Sequence, residues 1–121
     1  MYTDGSARGN PGPGGYGIVL ISDEGYRKEV AKGFRRTTNN RMELLSVIVG
    51  LEMLKTKPTQ VVVFSDSKYV VDAVEKKWVF SWENNYFIKK KNADLWKRFL
   101  AIYRQHHVII KWVKGHNNHP E

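Results

Sequence analysis

A continuous apolar run, Val61-Val62-Val63-Phe64, sits between two segments whose apolar residues recur at helical spacing. Such a run, three of its residues β-branched, is the mark of a strand covered on both faces. That requirement commits the chain to a sheet with helices packed against it. The segment before the run carries Leu44, Leu45, Ile48, Leu51 and Leu54 on one helical side, until Lys57-Pro58 stops it. The segment after it carries Val70, Val71, Val74 and Trp78, and a later helix aligns Leu95, Trp96, Phe99 and Tyr103. Upstream, Tyr16 to Ser22 reads as a strand, Asp23-Glu24-Gly25 as a turn and Tyr26 to Arg35 as the return strand. Tyr2 and Thr3 favour a short leading strand that Gly5 is expected to break, and Val108 to Val113 forms the last strand. The order β, β, β, α, β, α, α, β predicts a five-stranded mixed α/β sheet flanked by helices, in one domain over residues 1–121.

Composition narrows the partners. Lys and Arg number 20 against 12 Asp and Glu, a net charge of +8 and a pI of about 9.8, which favours a polyanion. No cysteine occurs, so disulfides and thiolate metal sites are excluded. No apolar run reaches the roughly 18 residues of a membrane span, and the N-terminus lacks a signal-peptide pattern. A monomeric, cytoplasmic protein with no membrane partner is expected.

Three acids stand at places where a routine local job is available to each. Asp4, ahead of a loop rich in glycine (Gly5 to Gly17), suits a turn. Glu43 suits a capping box begun by Asn40, and Asp66 suits the N-cap of the helix that opens at Ser67. Taken together they suit something else. Asp4 and Asp66 end separate strands and Glu43 lies in the first turn of the helix between them. Ligands gather at the carboxyl ends of neighbouring parallel strands. Carboxylates brought together there repel one another unless a cation compensates, and hard oxygen donors favour Mg²⁺ or Mn²⁺ over zinc. An acidic pocket on a basic chain fits divalent-metal phosphoryl transfer.

The motifs T-D-G-S with G-N-P-G-P-G-G-Y-G, T-T-N-N-R-M-E-L, S-D-S-K-Y-V and W-V-K-G-H followed by H-P-E occur in this order over nearly the whole chain. In order and spacing they resemble a type I ribonuclease H of the bacterial kind. The resemblance implies an RNase H-like fold and endonucleolytic hydrolysis of the RNA strand of an RNA–DNA hybrid, with two Mg²⁺ ions and 5′-phosphate products. It makes Asp4, Glu43 and Asp66 metal ligands and His116 a mobile proton shuttle. By the same resemblance Gly5, Ser6, Asn10, Asn39 and Asn40 line the RNA strand and minor groove. Arg36 and Thr38 lie near a DNA-strand phosphate, Trp78 and Trp82 form an aromatic DNA-strand channel, and Lys89, Lys90 and Lys91 belong to a basic protrusion.

The family carries a fourth metal-binding aspartate and a final helix beyond H-P-E, and this chain stops at Glu121. The expectation is a protein that continues past Glu121, and a strand around Asp4 shortened at its start. Two other readings stand beside the nuclease. One is a hybrid-binding module with impaired catalysis, favoured by the absent fourth carboxylate. The other is a different metal nuclease or strand transferase of the same broad fold, against which the length of T-T-N-N-R-M-E-L argues.

Overall fold

The computed structural model describes residues 1–114. Strands β1 (Tyr2–Ala7), β2 (Gly12–Ile21) and β3 (Arg27–Thr37) precede α1 (Asn39–Glu52) and β4 (Gln60–Ser65). Helices α2 (Lys68–Glu75), α3 (Trp78–Asn84) and α4 (Ala93–Tyr103) follow, and then β5 (His107–Trp112). One five-stranded sheet runs in the order β3-β2-β1-β4-β5. The β1–β2 and β2–β3 pairs are antiparallel, whereas β1–β4 and β4–β5 are parallel. The expected mixed sheet is present, with four helices among the described residues where three were expected. None of the described helices is long and apolar enough to cross a membrane.

The extra helix comes from a break after Glu75. Lys77 adopts φ 62°, a left-handed conformation that costs a residue with a side chain about 1–2 kcal/mol, and it separates α2 from α3. Trp78 therefore opens α3 instead of closing α2. Tyr86, Phe87, Lys89 and Asn92 also have positive φ, so the lysine-rich segment is a succession of turns leading into α4.

Apolar periodicity places α1 on β1 and β2 and against α4. Leu44, Val47, Ile48 and Leu51 of α1 are fully buried, as are Trp96 and Phe99 of α4 and Val63 of β4. Burying each such side chain contributes about 1.5–3 kcal/mol, so this helix-covered face holds most of the core. The other face differs from expectation. In β4, Val61, Val63 and Ser65 are buried but Val62 and Phe64 only partly, so the strand alternates instead of being covered on both sides. Among the described residues no helix covers that second face, and Tyr2 and Phe64 stack on each other there with ring centroids 4.9 Å apart.

Strand β1 also corrects the sequence reading. Gly5 does not break it: the strand runs on to Ala7, paired with β2 as far as Ala7 opposite Gly14. Its parallel pairing with β4 stops much earlier, at Thr3 opposite Ser65. Asp4 is thus the first β1 residue beyond its partner on one side and mid-strand on the other.

Candidate metal centre and nucleic-acid interface

Strand alternation points the N–H groups of Gly5 and Ala7 toward the space that β4 leaves. Side chains of α1 fill it. Glu43 Oε1 accepts from Gly5 N and Asn39 Oδ1 accepts from Ala7 N, so two residues one helical turn apart replace a strand. The approach is close enough to need glycine. A Cβ on Gly5 would lie 2.4 Å from the Met42 carbonyl carbon and 2.6 Å from Glu43 N.

None of the three acids does the local job its sequence context offers. Asp4 lies in β1, not in a turn. The N-cap of α1 is Thr38, whose Oγ1 accepts from Arg41 N, so neither Asn39 nor Asn40 caps and Glu43 completes no capping box. The N-cap of α2 is Ser67, accepting from Val70 N, not Asp66. Instead Asp4, Glu43 and Asp66 converge, each offering a carboxylate oxygen within 4.8 Å of the others.

Their electrostatics fit a cation. Burial, then the hydrogen bond and charge of Asp66 and the charge of Asp4, push the Glu43 carboxyl up to about 9, with the Gly5 N–H pulling the other way. Asp66 Oδ1 is buried and has no hydrogen-bond partner among the described residues, an orphaned acceptor of the kind a metal satisfies. The donors are all hard oxygens, which suit a divalent cation of the Mg²⁺ type.

Beside this centre, Gly9, Asn10, Thr38, Asn39, Asn40, Lys91 and Asn92 line a polar cleft of about 560 Å³. The cleft brings together Asn10 from the glycine-rich loop and Asn39 and Asn40 from α1. Gly5 and Ser6 line a different groove, which runs from Asp4 across the open face of β2 and β3. Thr38 lines the cleft, whereas Arg36 is exposed near the end of β3 outside it. The two tryptophans separate. Trp78 is 46% exposed, with Lys76 Nζ 5.1 Å from its ring centre. Trp82 is half-buried and meets the core residue Trp96 edge-on at 5.6 Å, with Lys90 Nζ 4.7 Å from its ring centre. Lys89, Lys90 and Lys91 are all exposed. His116 lies outside the described residues.

Sequence reasoning missed Asn92, which shares the cleft and anchors the lysine-bearing turns. Its Oδ1 accepts from Arg41 at 3.0 Å and its Nδ2 donates to the Tyr69 hydroxyl at 3.1 Å. Arg41 also grips Asp94 with two bonds, at 3.1 and 2.9 Å. The sole sequence signal was an arginine inside T-T-N-N-R-M-E-L, with no marked partner some fifty positions on.

A family model described as RNase H matches residues 1–121. The chain is 54% identical to a ribonuclease H of Desulforamulus reducens over 126 residues, spanning 100% of this chain and 78% of that protein. Its fold resembles the N-terminal RNase H domain of a Mycobacterium tuberculosis protein, with a TM-score of 0.75 and 31% identity over 96% of this chain and 81% of that one. It also resembles LC11-RNase H1, solved in complex with an RNA/DNA hybrid, with a TM-score of 0.72 and 27% identity over 98% of this chain and 86% of that one. A matching model, a close relative and a shared fold agree with the motifs, so the chain belongs to the RNase H family and is a ribonuclease.

Proposed function

We infer that this chain hydrolyses the RNA strand of RNA–DNA hybrids to 5′-phosphate products, as a cytoplasmic monomer using two divalent cations, Mg²⁺ or in substitution Mn²⁺. The observation that carries the reading is the convergence of Asp4, Glu43 and Asp66 within 4.8 Å, none of them in the turn or capping role its sequence context offers. The hybrid bound to the similar LC11-RNase H1 supports the substrate. Asp4, Glu43 and Asp66 would hold the cations. Bound there, the cations supply activation of the attacking water and charge stabilisation at the leaving 3′ oxygen.

The remaining roles belong to the chain's own groups. Glu43 sheds the proton it holds at neutral pH to become a ligand. Asn39, with its carbonyl oxygen committed to Ala7 N, offers its amide N–H₂ to acceptors of the minor groove. Gly5, Ser6, Asn10 and Asn40 complete the RNA-side contacts, where a 2′-hydroxyl distinguishes RNA from DNA. Thr38 accepts within its own helix and keeps a hydroxyl proton to donate to a DNA-strand phosphate beside Arg36. Trp78 and Trp82 contribute stacking surface, and Lys89 to Lys91 grip the duplex without regard to sequence. His116 moves a proton, a role that rests on the W-V-K-G-H motif.

A gel assay tests this with RNA–DNA hybrid, RNA duplex and DNA duplex, each with Mg²⁺ or EDTA. Cleavage of only the hybrid's RNA strand, only with metal, and with 5′-phosphate ends is expected. Hybrid bound but never cut would sink the enzyme reading and favour a binding module.

A further inference from the structure

Asp66 occupies a short junction, between Ser65, the last residue of β4, and Ser67, the N-cap of α2. Among the described residues its Oδ1 has no hydrogen-bond partner and its carboxyl bonds Glu43, so its aim depends on that contact and on how its backbone is held. On the N-terminal side the sheet does this: Ser65 pairs with Trp112, and Val113 N donates to Ser65 O at 2.9 Å. Ser65 Oγ accepts from Ser67 N at 3.1 Å, which tightens the junction across Asp66. The carbonyl of Asp66 itself is held by one side chain. Trp112 Nε1 donates to it at 3.2 Å, although the tryptophan is 45% exposed at the end of β5. Lys68 Nζ lies 4.7 Å from the Trp112 ring centre and holds the indole from its exposed side. A cation in the first turn of a helix opposes the helix dipole, so Lys68 gains nothing from α2 at that position.

We propose that Trp112 is a positioning residue for the metal centre: its indole N–H fixes the Asp66 peptide and thereby aims the Asp66 carboxylate at the bound cation. The proposal rests on Asp66 being a metal ligand. An apolar residue of another kind could supply burial at this position, but only the indole N–H supplies the bond to the Asp66 carbonyl. Phenylalanine would keep an aromatic ring for Lys68 and lose the donor together with part of the indole's area.

The test compares wild-type protein with Trp112→Phe, Lys68→Met and Asp66→Asn. Each is titrated with Mg²⁺ alone by calorimetry, melted in EDTA and assayed on RNA–DNA hybrid. For Trp112→Phe the Mg²⁺ affinity is expected to fall about tenfold, the range typical of groups that orient metal ligands. Its kcat falls at limiting Mg²⁺ and recovers at high Mg²⁺, with the KM for hybrid unchanged and the metal-free stability lowered by less than the loss in Mg²⁺ affinity. Lys68→Met, which retains the indole donor, keeps wild-type Mg²⁺ affinity. Wild-type Mg²⁺ affinity in Trp112→Phe would overturn the proposal. So would weaker binding matched by an equal fall in metal-free stability, because the indole would then be holding the fold. Loss of Mg²⁺ binding in Asp66→Asn leaves the underlying site reading standing in either case, whereas wild-type binding and cleavage there would show that reading to be the one at fault.

Discussion

The two halves of β1 are held in different ways. Tyr2 and Thr3 have backbone neighbours on both sides, β2 on one and β4 on the other. From Asp4 onward the β4 side is empty of strand, and the Gly5 and Ala7 N–H groups are met by Glu43 and Asn39 of α1. The first half is sheet, and the second is sheet completed by a helix. A backbone partner is chemically inert, but a side-chain partner brings its own chemistry. Glu43 braces the strand and offers a carboxylate to the acidic centre, so the local fold and the site share one group.

Substitutions at four positions separate the bracing from the chemistry, and the largest effect is expected at Glu43. Glu43→Gln keeps an oxygen for Gly5 N and removes the charge, so the protein should fold while cleavage falls about a thousandfold, equivalent to about 4 kcal/mol. The same change should alter how stability depends on pH. In the metal-free wild type, folded Glu43 keeps its proton up to about 9, whereas unfolded Glu43 loses it near 4.5. Its stabilisation is therefore complete below about 4.5 and is lost progressively as pH rises through about 9. Urea melts in EDTA from pH 5 to 9 should show that decline in wild type and not in Glu43→Gln. With Mg²⁺ present the wild-type decline should shrink, because the cation binds the deprotonated form.

Gly5→Ala tests how tightly helix and strand approach. The clashing atoms are backbone and cannot swing away, so a loss of about 3 kcal/mol is expected in urea unfolding, with cleavage reduced as α1 is displaced. Substitution in the sheet-paired half offers a contrast. Tyr2→Ala, on the open face, should cost about 1 kcal/mol through its stacking with Phe64 and leave kcat unchanged.

A smaller effect than at Gly5 is expected at Asn39. Asn39→Ala removes the acceptor for Ala7 N and should cost about 1 kcal/mol of stability, together with hybrid affinity. Asn39→Asp keeps the acceptor and loses the amide donor, so stability should hold while hybrid affinity still falls. Binding by anisotropy alongside thermal melts distinguishes the two. Equal stability in both variants would mean that the Ala7 bond braces nothing.

Much of this was legible in the sequence, and the parts that were not share a cause. Asp4, Glu43 and Asp66 could be found because each sits in a long motif. Their local surroundings misled, since Thr38, two residues before the expected cap Asn40, and Ser67, one after the expected cap Asp66, take the capping roles. The continuation of β1 past Gly5 was hidden because its second half is braced by residues more than thirty positions away, which no local pattern records. The break at Lys77 left no mark either, because a lysine carries no signal for a left-handed backbone. Trp78 and Trp82 share a helical spacing, yet tertiary packing sends Trp82 toward Trp96 and leaves Trp78 exposed. Periodicity could not have divided them.

The grip of Arg41 on Asn92 and Asp94 has a consequence for where a duplex would be cut. Arg41 and Glu43 are two residues apart on α1, one tied to the turns that carry Lys89 to Lys91 and the other facing the acidic centre. A helix is stiff over so short a span, so the lysines and the carboxylates move as one body. The molecule resembles a caliper with both jaws on a single bar: were the lysines to hold one phosphate and the carboxylates to act on another, the offset between the two would be set by α1 and not by a hinge.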